Sequence, residues 1–205
     1  MRICKIALLF VTVVTLSSCA SSYKMINPAS LSYNSANESN GVLFEYKYGL
    51  LEKKYQKKEL KKGVRLVAIK ITNNSGRDLT FGGDAKLAFG NASEIQVLDN
   101  ERVFKTLKQS AASYLWYLLL TPVSFQSTTA DSYGEKETNS TPIGLVIGPG
   151  LTASNMITVA ISNKNFKQEL LEYNINGTVI KDGETKYGLI GIQTENFDAL
   201  KLIID

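Results

Sequence analysis

Two cysteines, nineteen acidic residues and no histidine are the chemical raw material of this 205-residue chain. Without histidine there is no Ser-His-Asp or Cys-His arrangement, no imidazole metal ligand and no ordinary general base near neutral pH. A Ser–Lys pair or two carboxylates are what remains. The one Ser-x-x-Lys spacing, Ser21 to Lys24, falls in a polar stretch just after Cys19, where chance accounts for it. Asp99 with Glu101, and Glu135 with Glu137, sit in turns and polar loop, where carboxylates stay solvated. "GPGLTA", 148–153, puts a proline inside its glycine loop and lacks the lysine of a phosphate cradle. "GGDAK", 82–86, could turn Asp84 toward calcium, but a calcium site needs several oxygen ligands and this turn offers one acid. The expectation is a protein without catalytic residues, metal or cofactor.

Two stretches carry binding potential instead. "LEKKYQKKELKKG", 51–63, repeats lysine pairs every four residues and keeps a net charge of +4 after Glu52 and Glu59 are counted. On a helix, Lys53, Lys57 and Lys61 form one stripe and Lys54, Lys58 and Lys62 the adjacent one. Such a surface suits anionic lipid or a polyanionic polymer; a solvated helix face or a lysine-protected edge strand is the alternative. "YLWYLLLTPVSF", 114–125, holds the only tryptophan. It is too short to span a bilayer, yet a Trp- and Tyr-bearing apolar helix can lie in a membrane interface or meet a partner. Core packing against 151–173 is the other reading. Tyr114, Trp116 and Leu118, with Lys53, Lys54, Lys57 and Lys58, are the candidate contact residues.

The elements that must position these residues follow from periodicity. Arg2 and Lys5 precede an apolar run, Ile6–Leu16, that would rise only about 16 Å as a helix, which describes a secretory signal and not a membrane span. Residues 20–40 are rich in Ser and Asn and read as a tether, with an extended strand through Tyr23 and Met25 as the alternative. Val42, Phe44, Tyr46 and Tyr48 alternate with Leu43, Glu45 and Lys47, as in a half-buried strand. "VRLVAIKITN", 64–73, is apolar on both faces, as in a central strand. Short strands follow at 78–81, 86–89 and 94–98; "NG" at 176–177 and "DG" at 182–183 bracket another, and "KYGLIGI" and "LKLII" supply the last. Between them, Phe104, Leu107, Ala111, Tyr114 and Leu118 keep helical steps over 103–120. Met156, Val159, Asn163, Phe166, Leu170 and Tyr173 do the same over 151–173. The polar stretch 126–141 reads as a mobile loop. The simplest topology is mainly β: one antiparallel β-sandwich over 41–205 with a pair of helices inserted at about 103–173.

Leu16-Ser17-Ser18-Cys19 resembles the bacterial lipobox. That resemblance implies diacylglyceryl transfer to the Cys19 thiol, cleavage before it and acylation of the new amine, so that 1–18 is a signal and 19–40 a lipidated N-terminus and tether. An ordinary cut after Ala20 is the alternative. Loss of Cys4 leaves no disulfide, and loss of Arg2 and Lys5 lowers the formal charge from +4 to +2, too small to argue for nucleic acid. "VRLVAIKITNNSGRDLTF" and "GTVIKDGETKYGLIGI" resemble strands of the small immunoglobulin-like domains of bacterial envelope lipoproteins, with Ile180, Gly183, Glu184 and Gly188 at the matching turn and Asp182 where proline is common. The whole chain resembles Bacteroidota-type envelope lipoproteins. That likeness implies palmitate at Cys19, no catalytic residue and no known ligand. Ala20, where enterobacterial inner-membrane lipoproteins carry aspartate, and the non-acidic "SSYK" imply the periplasmic face of the outer membrane. The expected function is non-enzymatic: a membrane-anchored lipoprotein with an interaction or scaffolding role, meeting an envelope protein or an anionic polymer. Alternatives are a membrane-active module whose segment 103–125 enters lipid, and an envelope hydrolase.

Overall fold

Val42, Phe44 and Tyr46 turn inward from their strand while Leu43, Glu45 and Lys47 stay at its margin, so the two-residue period is realised in the folded chain. The structure is a computed structural model describing residues 19–130 and 133–205; the expected signal, 1–18, lies outside the described residues. In chain order the elements are β1 (Ser35–Ser39), β2 (Val42–Lys47), α1 (Lys53–Lys62), β3 (Val64–Asn73), β4 (Leu79–Thr80), β5 (Ala85–Phe89) and α2 (Asn100–Leu107). A 3₁₀ segment, Ala112–Leu120, then precedes β6 (Phe125–Ala130), β7 (Lys136–Thr141), α3 (Gly144–Glu172), β8 (Val179–Ile180), β9 (Thr185–Gln193) and β10 (Leu200–Ile204). The fold is rich in antiparallel sheet, and the chain divides into two compact units. One is Tyr23–Gln109 with Asn163–Asp205; the other is Ser110–Ser162 with the residues before Tyr23.

The larger unit is built around a sheet of order β1-β2-β3-β9. Asn40 and Gly41, both at positive φ, form the two-residue turn that joins β1 to β2 in the Ser39↔Val42 register. β3 is central and buried on both faces, as its composition requires. On one side Val67, Ile69 and Ile71 pack with Phe44, Ile190 and Ile192 against Leu79, Leu87, Ile180 and Leu202 from the short pairs β4–β8 and β5–β10, and against Phe81 just after β4. On the other, Leu66, Ala68 and Leu189 lie under Tyr55 of α1, Val103 and Leu107 of α2, and Phe166 and Leu170 of α3. Gly191 of β9 is small because α2 presses on it: a Cβ there would stand 2.2 Å from Val103 Cγ2.

Several expectations are corrected. The tether 19–40 is not free chain from Tyr23 onward. Tyr23 and Ile26 are buried, Glu169 accepts from the Tyr23 hydroxyl and the Ile26 amide, and β1 pairs with β2. Aromatic and aliphatic residues spaced among the serines find a core that composition alone does not reveal. The helix expected over 103–120 is two elements. α2 ends at Leu107 because the Gln109 amide donates to Asn163 Oδ1 at 2.9 Å, and Asn163 Nδ2 donates back to the Gln109 carbonyl. The segment 126–141, expected as a mobile loop, forms the β6–β7 hairpin, exposed on both faces. The second helix is present and begins earlier than 151, at Gly144.

Candidate lipid-contacting site

Among the catalytic candidates, Asp99, Glu101, Asp84 and Lys24 have structural partners. Asp99 caps α2, accepting from the Glu101 and Arg102 amides. Glu101 pairs with Lys105 at 3.5 Å and Lys167 at 3.4 Å, which hold its carboxyl below the usual range. Asp84 accepts from the Thr80 amide at 2.9 Å, and Lys24 pairs with Glu52 at 2.8 Å. Glu135 and Glu137 stand exposed on the β6–β7 hairpin and beside it. Among the described residues no group of three His, Cys, Asp or Glu side chains could hold a metal ion. Two acids are deeply buried and both serve the fold. Glu59 accepts from the Leu66 amide at 2.7 Å, while Glu169 binds Tyr23 and Ile26; burial raises both carboxyls, Glu59 to about 7.

The unit 110–162 has a different chemistry. The face of α3 that it buries consists of Gly144, Gly148, Thr152, Asn155, Val159 and Ser162, three or four residues apart. Its open face carries Leu145, Val146, Ile147, Met156, Ile157 and Ile161. Small and polar groups point inward and aliphatic ones outward, the reverse of a helix on a water-soluble core. The glycines are required: a Cβ on Gly144 would lie 2.1 Å from the Leu120 carbonyl oxygen, and one on Gly148 would lie 2.9 Å from Thr121 Oγ1. Thr152 Oγ1 donates to the Gly148 carbonyl at 2.9 Å and Asn155 Nδ2 to the Leu151 carbonyl at 2.7 Å, so the buried polar groups are satisfied. Beyond Ser162 the same helix reverts to the ordinary pattern, with Phe166 and Leu170 inside and Lys164, Lys167 and Glu172 outside.

The 3₁₀ segment repeats the inversion. Three residues per turn align Ala111, Tyr114, Tyr117 and Leu120 in one row, and this row forms the small core of the unit with Val159 and Leu151. An α-helix would have turned Leu118 inward in the sequence 107, 111, 114, 118. The tighter pitch brings Tyr117 in and sends Leu118 out, 43% exposed, beside Leu115, Leu119 and a Trp116 that is 73% exposed. Of the three candidate contact residues, Trp116 and Leu118 are open, whereas Tyr114 is corrected to a core position because the pitch of three turns it inward. Of eighteen exposed large hydrophobic side chains among the described residues, thirteen fall within 110–162, although that unit is much the shorter.

Cys19 belongs to this apolar unit and is exposed. The next residue ties it there: the Ala20 amide donates to Asn155 Oδ1 at 2.5 Å. The structure therefore gathers Cys19, Tyr114, Trp116 and Leu118 in one unit and leaves Lys53, Lys54, Lys57 and Lys58 on α1 in the other. On α1, Tyr55 and Glu59 face the core, Lys53 and Lys57 are exposed, and Lys54 and Lys58 are half-buried. Sequence reasoning missed the second half of the apolar surface, on 144–161. A charge count carries the signal: no charged residue occurs from 109 to 130 or from 138 to 163. The chain matches no known protein family, no curated protein and no solved structure.

Proposed function

We propose that the protein is a non-enzymatic, lipid-anchored envelope lipoprotein whose apolar segments 111–125 and 143–162 enter the membrane. The inverted face of α3, aliphatic outside and small or polar inside, carries this reading. In water each exposed large aliphatic side chain forgoes roughly 1.5–3 kcal/mol of burial, and among the described residues none covers them. In hydrocarbon the same faces are at their lowest free energy, and the polar groups that would be costly there are turned inward and hydrogen-bonded. An interfacial helix needs a charged face; the charge-free part of α3, 144–162, has none and rises about 28 Å, close to the thickness of a hydrocarbon core. By length and composition α3 is sufficient to cross a membrane. Acyl chains on Cys19 would enter the same lipid from the same unit, and two or more chains make the anchorage stable.

The scaffolding role falls to the larger unit, for which an immunoglobulin-like sandwich is our reading; its two packed strand layers support it. Placement on the periplasmic face of the outer membrane rests on the lipobox and on Ala20. The test is spectroscopic. In the chain from residue 19 onward bearing Cys19→Ala, phosphatidylcholine vesicles shift the emission of Trp116, the only tryptophan, to the blue, and quenchers in the acyl region reach it. Emission unmoved by lipid overturns the reading. Separately, Cys19→Ser abolishes palmitate labelling of the full chain in cells; labelling that persists removes Cys19 as the anchor.

A further inference from the structure

The chain passes between its two units three times, after Ser22, after Gln109 and after Ser162, and a lysine stands within two residues of each passage: Lys24, Lys108 and Lys164. All three belong to the larger unit. Lys24 is neutralised by Glu52 at 2.8 Å. At the second passage the lysines accumulate. The Lys58 ammonium, on the inner lysine stripe of α1, donates to the carbonyl of Lys108 at the end of α2, with Lys62 one turn further along α1. Burial, together with the charges of Lys62 and Lys108, holds the Lys58 ammonium below its usual pKa. The acids of these helices are committed elsewhere: Glu59 to the Leu66 amide, and Glu101 to Lys105 and Lys167. Lys58, Lys62, Lys108 and Lys164 take part in none of the ion pairs among the described residues.

We propose that Lys58, Lys62, Lys108 and Lys164 form a collar that binds the phosphates of anionic lipid headgroups where the chain enters the membrane. The inference rests on the membrane placement of 111–125 and 143–162, because that placement brings the chain passages next to Lys108 and Lys164 to headgroup depth. Like charges crowd at the collar without a carboxylate to relieve them, and headgroup phosphates supply the missing anion through charge-assisted hydrogen bonds. The long lysine stems reach along the surface toward the phosphate layer while α1 and α2 stay on the sheet. The collar also gives the two lysine stripes of α1 different roles. Lys58 and Lys62 of the inner stripe meet lipid, and the outer one, Lys53, Lys57 and Lys61, faces solvent.

The experiment measures partition of the chain from residue 19 onward, carrying Cys19→Ala, into two kinds of vesicle: pure phosphatidylcholine, and phosphatidylcholine with phosphatidylglycerol. Binding to the anionic vesicles is expected to be stronger and to weaken with salt. Each lysine near an anionic surface strengthens binding about fivefold, so Lys58→Gln, Lys62→Gln and Lys108→Gln together should lower that binding on the order of a hundredfold. Binding to neutral vesicles should stay unchanged, and Lys53→Gln, Lys57→Gln and Lys61→Gln together should do little. Because Lys58 also closes the end of α2, the pair Lys62→Gln and Lys164→Gln, which touches no such bond, should give a smaller loss in the same direction. Binding to neutral vesicles with no gain from phosphatidylglycerol overturns the collar and leaves the membrane reading standing; no binding to either vesicle overturns the membrane reading itself. Competition by excess inorganic phosphate or soluble polyphosphate at matched ionic strength would assign the collar to a free anion or a polymer and overturn the lipid assignment.

Discussion

Glu59 stands on the core-facing side of α1 with 2% of its surface exposed, and one carboxylate oxygen accepts from the Leu66 amide at 2.7 Å. Burial raises its carboxyl from the ordinary 4.5 to about 7, against the lowering by that hydrogen bond and by Arg65. A raised folded-state value means the folded chain binds the proton more tightly than the unfolded one. The contribution to stability is therefore complete below about pH 4.5, falls as pH rises toward 7, and is lost above it. At 1.36 kcal/mol per pH unit the interval amounts to about 3 kcal/mol. Glu59→Gln keeps an oxygen for the Leu66 amide and removes the charge, though its new N–H donors need partners and offset part of the gain. We expect the variant to be about 1–3 kcal/mol more stable than the parent at pH 8 and no more stable than it at pH 4. The assay is urea unfolding of the detergent-solubilised chain from residue 19 onward, with Cys19→Ala, followed by near-ultraviolet circular dichroism, which reports the tyrosines packed around Tyr23, Tyr55 and Phe166. A variant less stable than the parent at pH 8, or a stability difference that does not change with pH, refutes the reasoning.

Gly191→Ala would drive a Cβ to 2.2 Å from Val103 Cγ2 and should cost about 1–3 kcal/mol in the same assay, with α2 displaced from β9. Leu107→Ala, at a fully buried site, should cost about 2–5 kcal/mol. Leu118→Ala, on an open face, should cost under about 0.5 kcal/mol; equal costs would restore a continuous helix through 107–118. Gly148→Leu should separate the 3₁₀ segment from α3, read as protease cleavage between 110 and 144 in detergent, because Tyr117 and Thr121 occupy the space the side chain needs.

Much of the sheet was legible because its determinants are local. Val42, Phe44 and Tyr46 alternate, "VRLVAIKITN" is apolar on both faces, and Gly177 and Gly183 stand at positive φ in the turns where "NG" and "DG" place them. The Lys-rich stripe of α1 and the helical steps of 163–170 could be read for the same reason. What periodicity could not supply was the sign of burial. Helical steps at 107, 111, 114 and 118 predict one inward row, but the Gln109 amide is captured by Asn163, 54 residues away, and the chain resumes at a pitch of three. Leu118 and Trp116 then face outward. The same limit applies to α3, where the inward stripe is Gly144, Gly148, Thr152 and Asn155; a rule that apolar residues turn inward fails where the inner side admits only glycine and small polar groups. Composition determined which segments carry no charge. The tertiary structure decided which side of them is inside, because that depends on the backbone oxygens of Leu120 and Thr121 pressing where only glycine fits.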